Sequence, residues 1–508
     1  MVTSLTSSSS SRIVGLASGM DIDQMVSDLM KAARKPLDKL YQEKTLKEWK
    51  KEDYRTMNTQ LLALRTEASN MRLQGTYLAR KASSSDESVV TATSANNATT
   101  ATYSIKITNL ATSTIVQSSS DISNIDPTKK ISEIFTDVTG EFSFSINGQE
   151  FTVDPANKTL NSFLNEISSN SKAGVTAFFA SSGTNQGKIV LMSKSTGSTS
   201  SINLVDSTNS FLTGKLGLNT TTPGSDATVT INGIETKQSS NIFTINGTTF
   251  TLKGKLDTVS TVSVVQDSDA IYNSIKSFVD KYNDVIDKLN TEVREKRYRD
   301  YAPLTSEQKE DMKDEEIKLW EEKAKSGMLR SDPILTNCIN KMRFNWSQTV
   351  SFTGVNADYN QMSEFGINTG SYVDEDGNVT LGEEGKLIID EAKLKKAINE
   401  HPQEVIDFFT KTSDTDNESE MGVAQRLYRT LNTAINDIID QAGISNSLSQ
   451  YDNSYLAKAI EDLDERIDAK TESLNDLEDY YYSKFTAMET AIQKYNTQSA
   501  WLSQQFSS

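Results

Sequence analysis

YLAKAIEDLDERIDAKTESLNDLEDYYYSKFTAMETAIQKYNTQSAWLSQQF, residues 455–506, is the stretch whose reading decides the fold. Apolar or aromatic residues recur at Leu456, Ile460, Leu463, Ile467, Leu474, Leu477, Tyr481, Phe485, Met488, Ile492, Tyr495, Leu502 and Phe506. The steps alternate between four and three, the seam of a coiled coil. Lys470 and Ser499 put polar groups at two seam places. The step from Tyr481 to Phe485 adds a four to a four, a stutter that locally unwinds a left-handed supercoil. No Pro or Gly interrupts the stretch, so the spacing predicts one helix of roughly 50 residues, about 75 Å long. Such a helix cannot cover its own seam. It needs a partner helix, from this chain or from other copies.

Working outward, the other end of the chain offers a partner. Leu16 and Met20 lie in Ile13-Val-Gly-Leu16-Ala-Ser-Gly19-Met20, and Asp21 or Asp23 can cap the helix that follows. Ile22, Met25, Leu29 and Ala33 are expected on one face of it. Pro36 predicts a kink or a fresh start, because its ring clashes with a continuing helix. Leu37, Leu40 and Tyr41 resume the pattern, and Tyr54, Met57, Leu61, Leu64, Ala68 and Met71 extend it in three-four steps.

Near residue 76 the composition turns to Ser, Thr, Val, Asn and Gly, with few charges. Alternation in Tyr103-Ser-Ile105-Lys-Ile107 and in Lys188-Ile-Val-Leu-Met192 marks strands. A repeat sits among them. Phe144-Ser-Ile-Asn147-Gly148-Gln-Glu-Phe151 matches Phe243-Thr-Ile-Asn246-Gly247-Thr-Thr-Phe250, and Thr230-Ile231-Asn232-Gly233-Ile234 is a shorter third copy. Asn-Gly between alternating apolar residues predicts a two-residue type I′ hairpin. That loop fixes the register and sets Phe144 opposite Phe151 and Phe243 opposite Phe250. A short helix is expected at Thr159 to Ile167. From Ser268 the pattern is helical again. Helices are expected over 331–350, 393–409 and 423–442, with a small hairpin near 364–390.

The fold class that emerges is multidomain α+β, a coiled-coil stalk made from both chain ends with an inserted β-rich head. The expected division is a flexible tail and leg helix at 1–50 and a stalk helix at 51–75. A head of two subdomains follows at 76–267, then a helical domain with a hairpin at 268–450 and a leg helix at 451–508.

The chain has 508 residues, a net charge of −17 and a pI near 4.8. That charge disfavours nucleic acid and anionic membrane as main partners. No apolar run approaches the roughly 18 residues of a spanning helix. Met1 to Arg12 is Thr/Ser-rich without an apolar core, so it reads as a flexible tail rather than a cleaved signal. The one cysteine, Cys338, excludes an intrachain disulfide and falls on the apolar face of a helix. The one histidine, His401, precedes Pro402 at a helix start. A zinc site built on histidine or a Ser-His-Asp triad would have to use it. P-loop, GxGxxG and HExxH patterns are missing. Asp374-Glu-Asp376-Gly377-Asn378 with Glu383 hints at a calcium loop, but Tyr372 stands at the first ligand position, so a plain Asp-Gly turn is the better reading. No cofactor, metal or enzymatic activity is expected.

Val14-Gly-Leu16-Ala-Ser-Gly19-Met-Asp21, with Lys35-Pro36-Leu37 behind it, resembles the N-terminal signature of the flagellar filament-capping family, FliD or hook-associated protein 2. Tyr298-Arg-Asp-Tyr-Ala-Pro303-Leu304-Thr305, Trp320 to Arg330, Phe365-Gly366-Ile367 and Tyr495-Asn496-x-Gln498-Ser499 are similar to successive sections of that family. The Ile-Asn-Gly repeats resemble motifs of flagellins and caps. The resemblance implies a ring of copies, commonly a pentamer, at the filament tip. It implies contacts with flagellin and hook-filament junction proteins, and a cytosolic chaperone on the C-terminal helical region. Export through the flagellar type III apparatus to an extracellular site is implied too. The N-terminal leg and the seam residues above would make the oligomer and filament contacts. Other readings are another axial protein, flagellin or junction protein, and an adhesin whose head binds host mucin.

Overall fold

A computed structural model describes residues 19–506 apart from 120–124, 183–185, 207–209, 353, 370–371, 374–378, 381–384 and 445–451. The chain forms two compact units, one of residues 75–271 and one of the two flanking stretches, 1–74 and 272–508.

The flanking unit is helical. Its N-terminal helix, Ile22–Met71, starts where the Asp21 carboxylate accepts the Gln24 N–H at 3.0 Å. A fresh start at Pro36 does not occur, and no element ends at residue 50: the helix runs on through both. A proline inside a helix removes one hydrogen bond and costs about 3 kcal/mol in an isolated helix. Here buried Met30 on one side and Leu37 on the other join the same apolar cluster, and that burial offsets the cost. The later half buries Tyr54, Met57, Leu61, Leu64, Ala68 and Met71. It packs antiparallel to helix Val423–Ala442. Arg55 Nε donates to the Ala442 carbonyl at 2.9 Å, Arg65 meets Asn432 at 3.2 Å, and the Arg72 guanidinium lies 4.1 Å over the Tyr428 ring.

Helix Ser268–Arg294 brings the chain back from the insertion. Trp346, on helix Pro333–Ser347, gathers Phe278, Tyr282 and Phe409 around it at ring distances of 6.0, 5.8 and 6.2 Å. The helical stretch expected over 393–409 is two helices, Glu391–Glu400 and Pro402–Thr410, with His401 capping both at the helix start expected before Pro402. Pro402 causes the break, since it disfavours helical geometry in the residue before it. The calcium-like run 374–378 and Glu383 lie outside the described residues. The strands beside that run, Tyr372–Val373 and Val379–Thr380, pair antiparallel.

The inserted unit has two cores. In the first, a five-stranded antiparallel sheet runs in the order Arg80–Ser84, Leu256–Gln266, Ala101–Asn109, Ala227–Ile231, Ile234–Gln238. A three-stranded sheet runs Ile242–Ile245, Thr248–Leu252, Val90–Ser94. Tyr103, Ile105, Val229, Phe250 and Val262 are buried between them. In the second core, the sheet Leu218–Thr222, Ser113–Ser118, Lys188–Thr196, Val175–Ala180 and the sheet Gln149–Val153, Phe142–Ile146, Leu204–Val205 enclose Phe144, Phe151, Phe163 and Phe211 with helix Leu160–Ser169. Asn147, Asn232 and Asn246 have φ of 54°, 49° and 49°, and the glycines after them 80°, 83° and 78°. Both central residues of a type I′ turn need this left-handed backbone. Phe144 pairs with Phe151 and Phe243 with Phe250, the rings stacked at 5.2 and 5.6 Å.

Candidate functional site on the paired terminal helices

The C-terminal helix, Tyr455–Phe506, runs antiparallel to the N-terminal one. The Tyr482 hydroxyl donates to Asp23 at 3.0 Å, Lys44 meets Asp464 at 2.5 Å, and Lys51 and Arg55 reach Asp452 at 2.8 and 2.9 Å. Numbers rise on one helix as they fall on the other. Between these polar ties lies an apolar seam. Ile22, Val26, Met30 and Leu37 are buried with Ile467 and Leu474, and Leu40, Leu477, Tyr481, Tyr482 and Phe485 pack against them.

Of the expected C-terminal contact residues, Leu456, Leu463, Ile467 and Leu474 are buried. Ile460, Leu477, Tyr481, Phe485, Met488 and Ile492 are half-buried. Tyr495 is 71% exposed and Leu502 46%, with Trp501 and Phe506 exposed beside them. The partner helix begins at Ile22, level with Tyr482 and Phe485, and the stripe outruns it.

On the N-terminal side Ile22 and Leu37 are buried, Leu40 is half-buried, and Met20 is half-buried just ahead of the cap. Leu16 lies outside the described residues. Met25 and Leu29 are a correction: they are 39% and 42% exposed, and Val26 and Met30 face the seam instead. The steps Ile22, Val26, Met30 open with two fours. So do Leu477, Tyr481 and Phe485 on the facing helix. A phase shift on one helix has to be met at the same level on the other for the seam to stay closed. The visible stutter on the C-terminal helix, carried across to its partner, is the signal that picks out Val26 and Met30.

Charge is sorted along the pair. At the root, burial disfavours the charged Asp452 carboxylate. Hydrogen bonds from Lys51 and Ser454 more than offset it, and its pKa falls to about 2. The hydrogen bond to Asp464 raises the Lys44 ammonium. Nearby the balance reverses. Burial, then Glu295 and Glu52, push Asp53 up to about 6 against the pull of Lys325. Burial, then Asp53 and Glu295, push Glu292 up to about 7.

This arrangement holds together by covering apolar surface. The groups best suited to chemistry are engaged elsewhere. His401 stacks on Tyr359 at 3.9 Å with Nδ1 3.7 Å from Glu404. The Cys338 thiol is buried, 3.7 Å from the Met342 sulfur, and burial pushes its pKa up to about 12. Among the described residues no cluster of three His, Cys, Asp or Glu could hold a metal ion, and no helix is long and apolar enough to cross a membrane.

Comparison with known proteins covers both ends of this helix pair. The profile of the flagellar hook-associated protein 2 N-terminus matches residues 18–114, and that of its C-terminus matches residues 224–497. The flagellar hook-associated protein 2 of Halalkalibacterium halodurans is 30% identical across 97% of this chain and 99% of its own length. That of Thermotoga maritima is 31% identical across 76% of this chain and 59% of its own length. In fold, the chain is similar to the crystal structure of D1-D2-D3 domains of the flagellar cap protein FliD from Escherichia coli. The TM-score is 0.51 at 19% identity, over 81% of this chain and 99% of that one. With a profile matching more than half its length and a relative aligned nearly end to end, the chain belongs to the flagellar hook-associated protein 2 family.

Proposed function

We propose that the chain caps the distal tip of a bacterial flagellar filament as a homo-oligomeric ring. There it shelters exported flagellin while the flagellin folds and polymerises, and prevents its loss. Family membership supports this, as does the described role of the Escherichia coli relative as a flagellar cap protein. The observation that carries it is the apolar stripe of the C-terminal helix, closed against a partner as far as Phe485 and open at Tyr495, Trp501, Leu502 and Phe506. A stripe half closed and half open suits a surface that changes partners without unfolding: sister copies, flagellin, hook-filament junction proteins, or an export chaperone in the cytosol. Pentameric stoichiometry and passage through the type III apparatus to the extracellular tip belong to the same proposal. The role is structural, acting through contact rather than catalysis.

Deleting residues 455–508 tests it. Filament growth is expected to stop while the 75–271 unit keeps its β-type circular dichroism. Filaments of normal length from cells carrying only that variant overturn the role.

A further inference from the structure

The three Ile-Asn-Gly hairpins share a turn but differ in what lies beside them. In the first, strand Phe142–Ile146 pairs on its outer side with Leu204–Val205, Ile146 opposite Leu204 and Ser145 opposite Val205. The turn extends this pairing by one residue. Asn147 N–H donates to the Asn203 carbonyl and Asn147 Oδ1 accepts the Asn203 N–H, both at 2.8 Å. The second hairpin repeats the device. Strand Ala227–Ile231 pairs with Ala101–Asn109, Ile231 opposite Ile105 and Thr230 opposite Lys106. Asn232 N–H donates to the Ser104 carbonyl at 2.9 Å, and its Oδ1 accepts the Ser104 N–H at 2.8 Å.

The third hairpin has the same Ile-Asn-Gly and the same backbone at Asn246, yet strand Ile242–Ile245 is the edge of its sheet. The two-residue loop puts Thr244 at a position whose N–H and C=O point away from the hairpin partner. Among the described residues neither these groups nor Asn246 N–H and Oδ1 has a hydrogen-bond partner, and Thr244 and Asn246 are exposed. Burial tells the same story. Ile146 is fully buried and Ile231 is 8% exposed, while Ile245, at the equivalent place, is only half-buried. Some other edge strands carry protecting charges, Lys81, Glu150, Glu235 and Lys237, whereas Val90–Ser94, Val175–Ala180 and Leu218–Thr222 do not. Ile242-Phe-Thr-Ile245 carries none.

We infer that the outer edge of strand Ile242–Ile245 is a docking site for an extended, uncharged peptide segment of another polypeptide, which adds antiparallel as a further strand. The two internal precedents define what fits. A small polar residue, like Asn203 or Ser104, sits where Asn246 clasps its backbone. An aliphatic residue, like Leu204 or Ile105, follows it and covers Ile245. Backbone pairing supplies affinity and that two-residue step supplies selectivity. The lack of charge on the edge favours an uncharged strand over an acidic or basic one.

The probe is a blocked peptide with the sequence of residues 201–205, Ser-Ile-Asn-Leu-Val, titrated into the full-length chain labelled at its Thr and Asn amides. Thr244 and Asn246 amide resonances are expected to shift saturably, while the already clasped Asn147 and Asn232 stay fixed. Thr244→Pro removes the outward N–H, which an edge strand tolerates, together with the exposed hydroxyl contact to Thr249 at 2.8 Å, and abolishes the shift. Asn246→Gly keeps the turn and weakens binding about five-fold, the size of one net hydrogen bond. Thr244 and Asn246 amides that do not move, or a shift that survives Thr244→Pro with the Thr248 amide unperturbed, overturn the site. Sedimentation in which the chain self-associates without peptide, and loses this with Thr244→Pro, also overturns it, because the occupant is then a second copy.

Discussion

The hairpins of the inserted unit and the paired terminal helices bury similar side chains under opposite kinds of control. In a hairpin, two residues decide everything nearby. Asn147-Gly148 sets the backbone, the backbone sets the register, and Phe144 has to meet Phe151. In the helix pair nothing local chooses the register. Ile22 to Leu40 offers two overlapping stripes, and only the facing helix selects Val26 and Met30 over Met25 and Leu29. Local control gives a fixed shape. Control by a partner gives a surface that can be re-paired.

The sharpest way to break this contrast is to damage one region and watch the other. Phe144→Ala removes a ring that touches Phe151 and Phe163 and is expected to cost about 4 kcal/mol. Hydrogen exchange should then rise across residues 142–218 while seam amides such as Leu474 keep their protection. The helix pair is tested at its phase. Met30→Ala should cost about 2 kcal/mol and Leu29→Ala no more than about 0.5 kcal/mol, read from urea midpoints of the helical unit. Equal costs for the two would mean the seam is not locked.

The smallest effect is the response to pH. Asp53 and Glu292 hold protons more tightly folded than unfolded, so the folded state takes up protons as pH falls through the window from about 7 to about 4. The helical unit should therefore be less stable at pH 8 than at pH 6. Asp53→Asn should flatten that slope and stabilise the unit at pH 8 by no more than about 1 kcal/mol, because both groups are partly solvated, with the melting temperature rising accordingly. Asp452 acts in the opposite sense, its contribution fading only as pH falls from about 4 towards 2. A slope unchanged by Asp53→Asn would mean that Asp53 takes up no extra proton on folding.

What the sequence makes legible follows the same division. The Asn-Gly turns, the Phe pairs and the 52-residue C-terminal helix can be read directly, because each rests on chemistry within a few residues or on a long unbroken period. The seam of the N-terminal helix is read one residue off, at Met25 and Leu29, because a three-four pattern in one helix does not state its phase. Pro36 and Pro402 show how far a proline can be read: the helix start at Pro402 is legible, the continuation through Pro36 is not. One proline is carried through by packing on either flank, the other splits a helix at His401. The clasp between Asn147 and Asn203 joins residues 56 positions apart, which no local signal announces.

Pro36 has a mechanical meaning. It leaves the Ala32 carbonyl without its usual donor, so the N-terminal helix has one spot where bending breaks no further backbone bond. The Asp452 ties with Lys51 and Arg55 anchor the segment well behind that spot. A load that bends this helix is therefore expected to act first at Pro36, as a fulcrum ahead of the anchored end.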